Sequence, residues 1–221
     1  MPDYRFRWNG YKHPALVAAF TGVRTPGGLI KNMTGNAAYD GTLNGTYTPA
    51  NPLIRAKNTP SLDFDGAAGA GGNYISLANP ISGLTNFSIA FWSNGDTNLG
   101  VMFSRAASSN LYLCNTGTPQ FAFICTIGNI NFYQQKPVIG RTYMVVVTHD
   151  NTDQKMYVPT VGGMVNRIAP GVNPVDANAF IGQYWDASLR LNGRLDNIMF
   201  WSVTLTPDQI NSIYRSSLPR M

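Results

Sequence analysis

Apolar and polar residues alternate over short stretches that recur along most of this chain. In one stretch Phe87, Ile89 and Phe91 share one phase, and Ser88 and Ala90 share the other. Successive side chains of a β-strand point to opposite faces, so a period of two predicts a half-buried strand. Strands are predicted on this basis at residues 16–20, 61–64, 74–77, 87–92, 101–105, 111–114, 121–127, 131–133, 143–149, 155–158, 179–182 and 194–201.

The spacing of these strands predicts the fold class. They lie roughly ten residues apart, separated by Gly, Pro, Asn or Asp, which is typical of an antiparallel two-sheet sandwich. Composition agrees, because charged residues are only 12% of the chain and Asn, Thr, Ser and Gly replace them. These residues are poor helix formers. The sequence therefore predicts an all-β protein.

A single helix is predicted near the end of the chain. Thr206 is followed by Pro207 and, three positions after itself, by Gln209, which is the pattern of a capping box with proline at the first helical position. Ile210, Ile213 and Tyr214 then provide one apolar face.

The first thirteen residues have a pattern of their own. Aromatic and basic side chains alternate there, at Tyr4, Arg5, Phe6, Arg7 and Trp8. The pattern suits an extended arm that lies on a neighbouring subunit, with the rings inward and the cations outward, or else the first edge strand of the domain itself. We predict an arm over residues 1–13 and one domain over residues 14–221.

The net charge of +5 favours contact with acidic surfaces. Beyond the first dozen residues the basic side chains are scattered, so nucleic acid is not expected as a partner. No apolar run approaches the roughly 18 residues that span a bilayer, and no leader peptide opens the chain. We therefore expect a protein that is used without secretion or as a part of a larger assembly.

Catalysis is not expected. All eleven acidic residues are Asp, whereas Glu is a frequent acid, base or nucleophile in enzymes that cleave sugars. The histidines are His13 and His149, and neither has an evident partner for acid-base chemistry. Cys114 and Cys125 flank a turn but would not face each other in a hairpin, so buried free thiols are favoured over a disulfide.

Several motifs along the chain support a resemblance to a known family. They are Asp40-Gly41-Thr42-Leu43-Asn44-Gly45, Leu62-Asp63-Phe64-Asp65-Gly66, Asn86-Phe87-Ser88-Ile89-Ala90-Phe91-Trp92, Lys155-Met156-Tyr157-Val158, Asn192-Gly193-Arg194-Leu195-Asp196-Asn197 and Leu205-Thr206-Pro207-Asp208-Gln209-Ile210. In this order they resemble the laminin-G-like, concanavalin A-like lectin-glucanase jelly rolls, over about residues 14–215. Gln209 and Pro159-Thr160 depart from the family pattern. The resemblance implies a jelly-roll fold in which residues 40–45 contain a loop.

The resemblance also implies a cofactor. Members of this family often hold a structural calcium ion, and the matching residue here is Asp196, with Asp65 expected nearby. Carboxylate and carbonyl oxygens are the ligands that calcium prefers. The alternative is that both aspartates act only in turns and hydrogen bonds.

The residues Tyr184, Trp185 and Asp186 form the strongest candidate for ligand binding. Sugars bind to aromatic faces beside a few polar groups that fix their orientation, and these three residues supply both in one loop. The alternative is that Trp185 packs beneath its own loop. The loops 94–98 and 150–153 are secondary candidates.

Three classes of function remain. The first is a non-catalytic decorating or fibre- or tail-associated component of a phage or virus particle, located in the virion and bound to other subunits. The second is a free lectin module that recognises glycans outside the cell or at its surface. The third, a glycan-cleaving enzyme, is disfavoured because Glu is absent. The basic aromatic arm favours the first class.

Overall fold

The fold is a sandwich of two antiparallel β-sheets with one short helix. A computed structural model describes residues 13–21, 28–45, 61–66, 72–95, 100–105, 109–115, 119–125, 128–132, 138, 140–168 and 178–217. The strands are β1 (Leu16–Phe20), β2 (Leu29–Ile30), β3 (Gly41–Asn44), β4 (Leu62–Asp65), β5 (Tyr74–Ala78), β6 (Phe87–Gly95), β7 (Gly100–Arg105), β8 (Ser109–Asn115), β9 (Pro119–Cys125), β10 (Gly128–Phe132), β11 (Thr142–His149), β12 (Asp153–Val158), β13 (Gly163–Ile168), β14 (Asn178–Ile181) and β15 (Asn192–Trp201). Single 3₁₀ turns lie at Ala37–Tyr39 and Pro159–Val161, and the helix α1 is Pro207–Ser217.

The described strands form a seven-stranded and an eight-stranded sheet. The first has the order β1-β15-β6-β11-β12-β13, with β4 also paired to β15, and the second has the order β10-β9-β8-β7-β14-β5-β3-β2. Non-consecutive strands are neighbours in both sheets, and the pairs are antiparallel. The predicted all-β jelly-roll sandwich is thereby confirmed.

A cluster of phenylalanines joins the two sheets across the core. The ring of Phe200 lies 6.3 Å from Phe20 and 6.2 Å from Phe91 in its own sheet, and 5.2 Å from Phe103 in the other sheet. All four side chains are buried. Offset and edge-on contacts of this kind add to the free energy that burial of the rings contributes.

The outer face of the seven-stranded sheet is also buried, because the end of the chain folds over it. Met144 and Val146 of β11 face a second apolar cluster that includes Ile210 and Ile213 of α1, and Tyr214 stacks on Trp92 at 5.8 Å. Strand β11 is therefore apolar on both faces. Its continuous apolar run follows from this coverage.

The capping box and the apolar face of the helix are both confirmed. The backbone N–H of Thr206 donates to Oε1 of Gln209 at 2.8 Å, and the backbone N–H of Gln209 donates to the Thr206 hydroxyl at 3.3 Å. The buried hydroxyl of Ser88 fixes the approach to the helix. It donates to the carbonyl of Val203 and accepts from the N–H of Leu205.

The sequence did not predict every strand. Residues 40–45, expected to contain a loop, contain β3 at Gly41–Asn44, which pairs with both β2 and β5. Gly41 permits this packing, because a Cβ there would lie 2.5 Å from Ile75 Cγ2. Strand β13 was also not predicted, since its alternation extends over few residues after Gly162 and Gly163.

The register of the hairpin β8–β9 determines how Cys114 and Cys125 are placed. In the hairpin β8–β9, Cys114 faces Gln120 and Cys125 faces Ser109, so the two cysteines are not opposite each other, as predicted. Five positions of extended strand separate these two pairs, about 17 Å, which is too far for a disulfide in this register.

In the described part of the chain, no helix has the length and apolar character needed to cross a bilayer.

Candidate functional site

The loop that carries Tyr184, Trp185 and Asp186 leaves the eight-stranded sheet after β14 and returns before β15. Its base is closed by a bridge between Gln183 and Arg190 and by a hydrogen bond from the Tyr184 N–H to the Leu189 carbonyl at 2.7 Å. Its tip is a turn in which the N–H of Ala187 donates to the Tyr184 carbonyl at 2.9 Å. The two central residues of that turn are Trp185 and Asp186.

Trp185 projects from the tip of the loop. Its side chain is 43% exposed, which makes it one of three large apolar residues that are exposed in the described part of the chain. The Tyr184 ring lies 5.9 Å from the Trp185 ring, with 51° between the two planes. Of the two predicted arrangements, packing beneath the loop is therefore not observed. The indole is free to meet a ligand.

Asp186 supplies an ionised and oriented carboxylate beside these rings. Its Oδ1 accepts a hydrogen bond from the Ser188 N–H at 2.8 Å. Hydrogen bonds from the Ser188 side chain and backbone lower the pKa of the Asp186 carboxyl below its ordinary value. The group is thus negatively charged at neutral pH and can accept hydrogen bonds from sugar hydroxyls.

Gly182 anchors the loop to the core. Its N–H donates to the Met102 carbonyl at 3.1 Å, and its own carbonyl accepts from the Leu191 N–H at 2.9 Å. Its φ is +83°, and a Cβ at this position would lie 2.3 Å from ring carbons of Phe64. Only glycine meets both conditions without strain.

The sequence reasoning missed three residues near the base of the loop. The guanidinium of Arg190 lies over the Tyr74 ring, with 5.2 Å from Cζ to the centroid, and the Phe180 ring lies edge-on to Tyr74 at 6.1 Å. Tyr74 and Phe180 alternate with the core residues Ile75 and Ile181, so they point to the outer face of the eight-stranded sheet. That alternation is visible in the sequence, whereas the approach of Arg190 is not.

The two predicted calcium ligands are not brought together. In the pairing of β4 with β15, Asp65 faces Asn192, four positions before Asp196 and thus about 13 Å away along the strand. Asp65 is exposed, whereas Asp196 is fully buried opposite Trp92. One ion cannot bind both carboxylates in this register. The described residues also contain no group of three or more His, Cys, Asp or Glu side chains suited to a metal, and calcium binding at either aspartate stays a prediction.

His149 has a structural environment. It is buried and stacked on Phe87 with 4.8 Å between ring centroids, and its Nδ1 lies 3.3 Å from the Thr85 carbonyl. Burial lowers the pKa of the His149 imidazole, so the ring is neutral at neutral pH. The other histidine, His13, lies against the start of α1, with Nε2 3.3 Å from Nε2 of Gln209.

The remaining candidates lie in a turn, in strand β6 or, like residues 96–98, outside the described residues. Asp150 is a turn residue, whose Oδ1 accepts from the N–H groups of Thr152 and Asp153. Asn94 is buried and donates to the Gly140 carbonyl at 2.7 Å. The predicted arm residues Tyr4, Arg5, Phe6, Arg7 and Trp8 lie outside the described residues.

Comparison with known families agrees with this architecture. A family model of the laminin G type, described as the concanavalin A-like lectin/glucanases superfamily, matches residues 69–211, well over half of the chain. The chain belongs to this superfamily. The predicted family is thereby confirmed. No curated protein sequence matches the chain significantly.

Solved structures with this fold include carbohydrate-binding proteins. Domain 4 of AbnA, a GH43 extracellular arabinanase from Geobacillus stearothermophilus solved with arabinotriose, is 18% identical with a TM-score of 0.64, over 90% of this chain and 97% of that domain. A second solved structure is that of botulinum neurotoxin type C, a toxin whose cell entry depends on interaction with two ganglioside molecules. Its sequence is 12% identical and its TM-score is 0.68, over 92% of this chain and 51% of the neurotoxin chain.

The binding domain of botulinum neurotoxin DC, solved in complex with rat synaptotagmin II, is 10% identical with a TM-score of 0.68, over 92% of this chain and 52% of the other. The superfamily member described here thus spans about half the length of these neurotoxin chains. At such identities the likeness concerns the fold alone.

Proposed function

We propose that this protein is a non-catalytic binding sandwich that holds a saccharide against Tyr184, Trp185 and Asp186. The observation that carries the proposal is the exposed indole of Trp185 at the tip of a hydrogen-bonded turn. An aromatic face attracts the apolar C–H surface of a sugar, and an adjacent carboxylate orients its hydroxyls. Both groups are presented by one loop of defined backbone geometry.

The relatives support this class of ligand. The arabinanase domain was solved with arabinotriose, and the neurotoxin type C structure concerns two gangliosides. These proteins share only the fold with this chain, so the likeness by itself is an association. The loop at 184–186 adds the chemistry that a saccharide needs.

The absence of catalysis is the second part of the proposal. Glycoside cleavage uses a pair of carboxyl groups that flank the bond. The chain has no Glu, and within the described residues the carboxylate of Asp186 accepts a hydrogen bond from Ser188. His149 is buried and neutral, which removes it from acid-base chemistry at the surface.

A glycan array tests binding, and product analysis tests catalysis. The isolated protein is expected to bind to a defined group of glycans on the array. After long incubation with the protein, mass spectrometry should show that these glycans are intact. Release of shorter saccharides would contradict the non-catalytic part alone. A blank array would contradict the proposal as a whole.

We further propose that the protein works as a decorating or fibre- or tail-associated component of a phage or virus particle. The supporting observation is the alternation of aromatic and basic residues at Tyr4, Arg5, Phe6, Arg7 and Trp8. Such a segment can attach the domain to another subunit and leave the 184–186 loop for surface glycans. The alternative is a free lectin at the cell surface or outside the cell.

Deletion of residues 1–12 distinguishes these two settings. An assembly protein should lose incorporation into particles while its melting temperature stays the same, because an arm that lies on a neighbouring subunit is not part of the core of its own domain. A free lectin should keep its full glycan affinity after the deletion, and it should still be found at the cell surface or outside the cell. Unchanged incorporation of the truncated chain would contradict the role of the arm.

A further inference from the structure

Arg190 is a buried cation, and two of its three guanidinium nitrogens lack a hydrogen-bond partner in the described part of the chain. The residue is only 9% exposed, and the two nitrogens are Nε and Nη1. The Tyr74 ring, 5.2 Å from Cζ, meets the face of the guanidinium. That contact stabilises the positive charge but cannot accept the in-plane N–H groups. Donors removed from water without acceptors cost free energy.

No described residue accepts a hydrogen bond from Nε or Nη1 of Arg190, and the amide Oε1 of Gln183, which lies opposite Arg190 in the bridge, is itself buried and unpaired. The ion pairs resolved among the described residues are Lys31 with Asp40 and Lys155 with Asp153, and neither involves Arg190. Asp186 belongs to the same loop, but its Oδ1 accepts from the backbone of Ser188. An external anion would provide the missing acceptors. Guanidinium groups bind carboxylates and similar oxyanions through charge-assisted hydrogen bonds.

The surroundings of Arg190 suit a saccharide. The ring of Phe180 lies edge-on to Tyr74 at 6.1 Å, and both rings are on the outer face of the eight-stranded sheet. On the same face, Asn44 Nδ2 donates to the Ser76 hydroxyl at 3.1 Å. Arg190 is opposite Gln183 in the bridge at the base of the loop. Two residues of extended chain, about 7 Å, separate this bridge from Trp185 at the tip.

We infer that the site takes an anionic saccharide, with a sugar ring against Tyr184 and Trp185 and a carboxylate or sulfate group on Arg190. This inference rests on the saccharide site proposed above and specifies the chemical class of its ligand. The negative charge of Asp186 is at the tip and that of the ligand is at the base. The site therefore distinguishes the two ends of the saccharide by charge.

The test compares neutral glycans with their charged counterparts. The probes are lactose, sialyllactose and sulfated lactose, together with oligogalacturonate and its methyl ester, on one array and then in titration calorimetry. We expect a preference of about ten-fold or more for the charged members of a pair, since hydrogen bonds to charged groups account for a ratio of that order. Comparison of the carboxylated probes with the sulfated probe shows which of the two anionic groups Arg190 prefers.

Arg190→Gln and Arg190→Lys examine the residue itself. Arg190→Gln should remove the preference for charged glycans and keep affinity for neutral ones, with an unchanged or higher melting temperature. Arg190→Lys should keep part of the preference, because it retains charge but loses the planar fork. If Arg190→Gln fails to fold, rising salt should still weaken only the charged glycans for the unmodified protein.

The outcomes separate this inference from the proposed function. Equal affinity for neutral and charged members would overturn the inference and leave saccharide binding in place. A charge preference that persists in a folded Arg190→Gln variant would also overturn it. Failure to bind any glycan would overturn both. A preference that depends on Arg190 and on salt would support both.

Discussion

Trp185→Ala is expected to weaken glycan binding about 30-fold or more, since removal of a central aromatic anchor costs about 2 kcal/mol. The indole is 43% exposed and forms the main apolar surface of the loop tip. Its removal leaves the turn in place, because the hydrogen bonds from Ala187 to Tyr184 and from Tyr184 to Leu189 use the backbone only. We therefore expect the free energy of unfolding to change by less than about 1 kcal/mol.

Met164→Ala is the matched control for this substitution. Met164 is 50% exposed and lies in β13, in the other sheet. Its removal deletes a comparable amount of exposed apolar surface and should leave both glycan affinity and stability unchanged. Titration calorimetry and thermal melts of both variants provide the measurement. Equal losses of affinity in the two variants would show that Trp185 has no special role.

Gly182→Ala is expected to lower the free energy of unfolding by about 2–4 kcal/mol. Two costs add at this position. The backbone has φ +83°, where a Cβ is strained, and that Cβ would lie 2.3 Å from Cδ1 and Cε1 of the buried Phe64 ring. The ring cannot move aside freely, since it belongs to the core between the sheets. Denaturant unfolding would measure the loss.

Gly35→Ala separates the two costs. Gly35 has φ +87°, and nothing lies within 4 Å of a Cβ built there. It therefore reports the strain of the backbone alone, about 1–2 kcal/mol. The excess loss in Gly182→Ala measures the clash with Phe64. Equal losses in the two variants would mean that the core yields to the methyl group and that Gly182 does not anchor the loop.

Gly182→Ala should also affect the site. The N–H and carbonyl of Gly182 connect the loop to Met102 and Leu191. A displacement of this residue shifts Tyr184 and Trp185 relative to the sheet. A folded Gly182→Ala variant should thus bind glycans more weakly, whereas Gly35→Ala should bind as the unmodified protein does.

Features that depend on local chemistry were accessible from the sequence. The alternation of Phe87, Ile89 and Phe91 predicted β6, and all three side chains face the core. The spacing of Thr206 and Gln209 predicted the start of α1, because a capping box is completed within four residues. The ordered motifs predicted the family, which the family model confirms over residues 69–211.

The residue types of the loop identified it as a candidate site, but they did not predict whether Trp185 is exposed. Tyr184, Trp185 and Asp186 are chemically suited to a sugar wherever they lie, so the sequence could nominate them. Whether Trp185 is exposed or covered depends on the path of the chain beneath it. That path follows from the contacts of Gly182 with Phe64 and Met102, which are distant in sequence.

The sequence by itself determined most of the strands, the helix start, the sandwich class and the chemical character of the loop, because each depends on residues that are close along the chain. The tertiary structure alone separated Asp65 from Asp196, converted residues 41–44 into the strand β3 and placed Arg190 over Tyr74. These outcomes depend on strand register and on pairings between distant segments. A shift of register by one residue reverses which face every side chain occupies, so alternation within a single strand could not determine them.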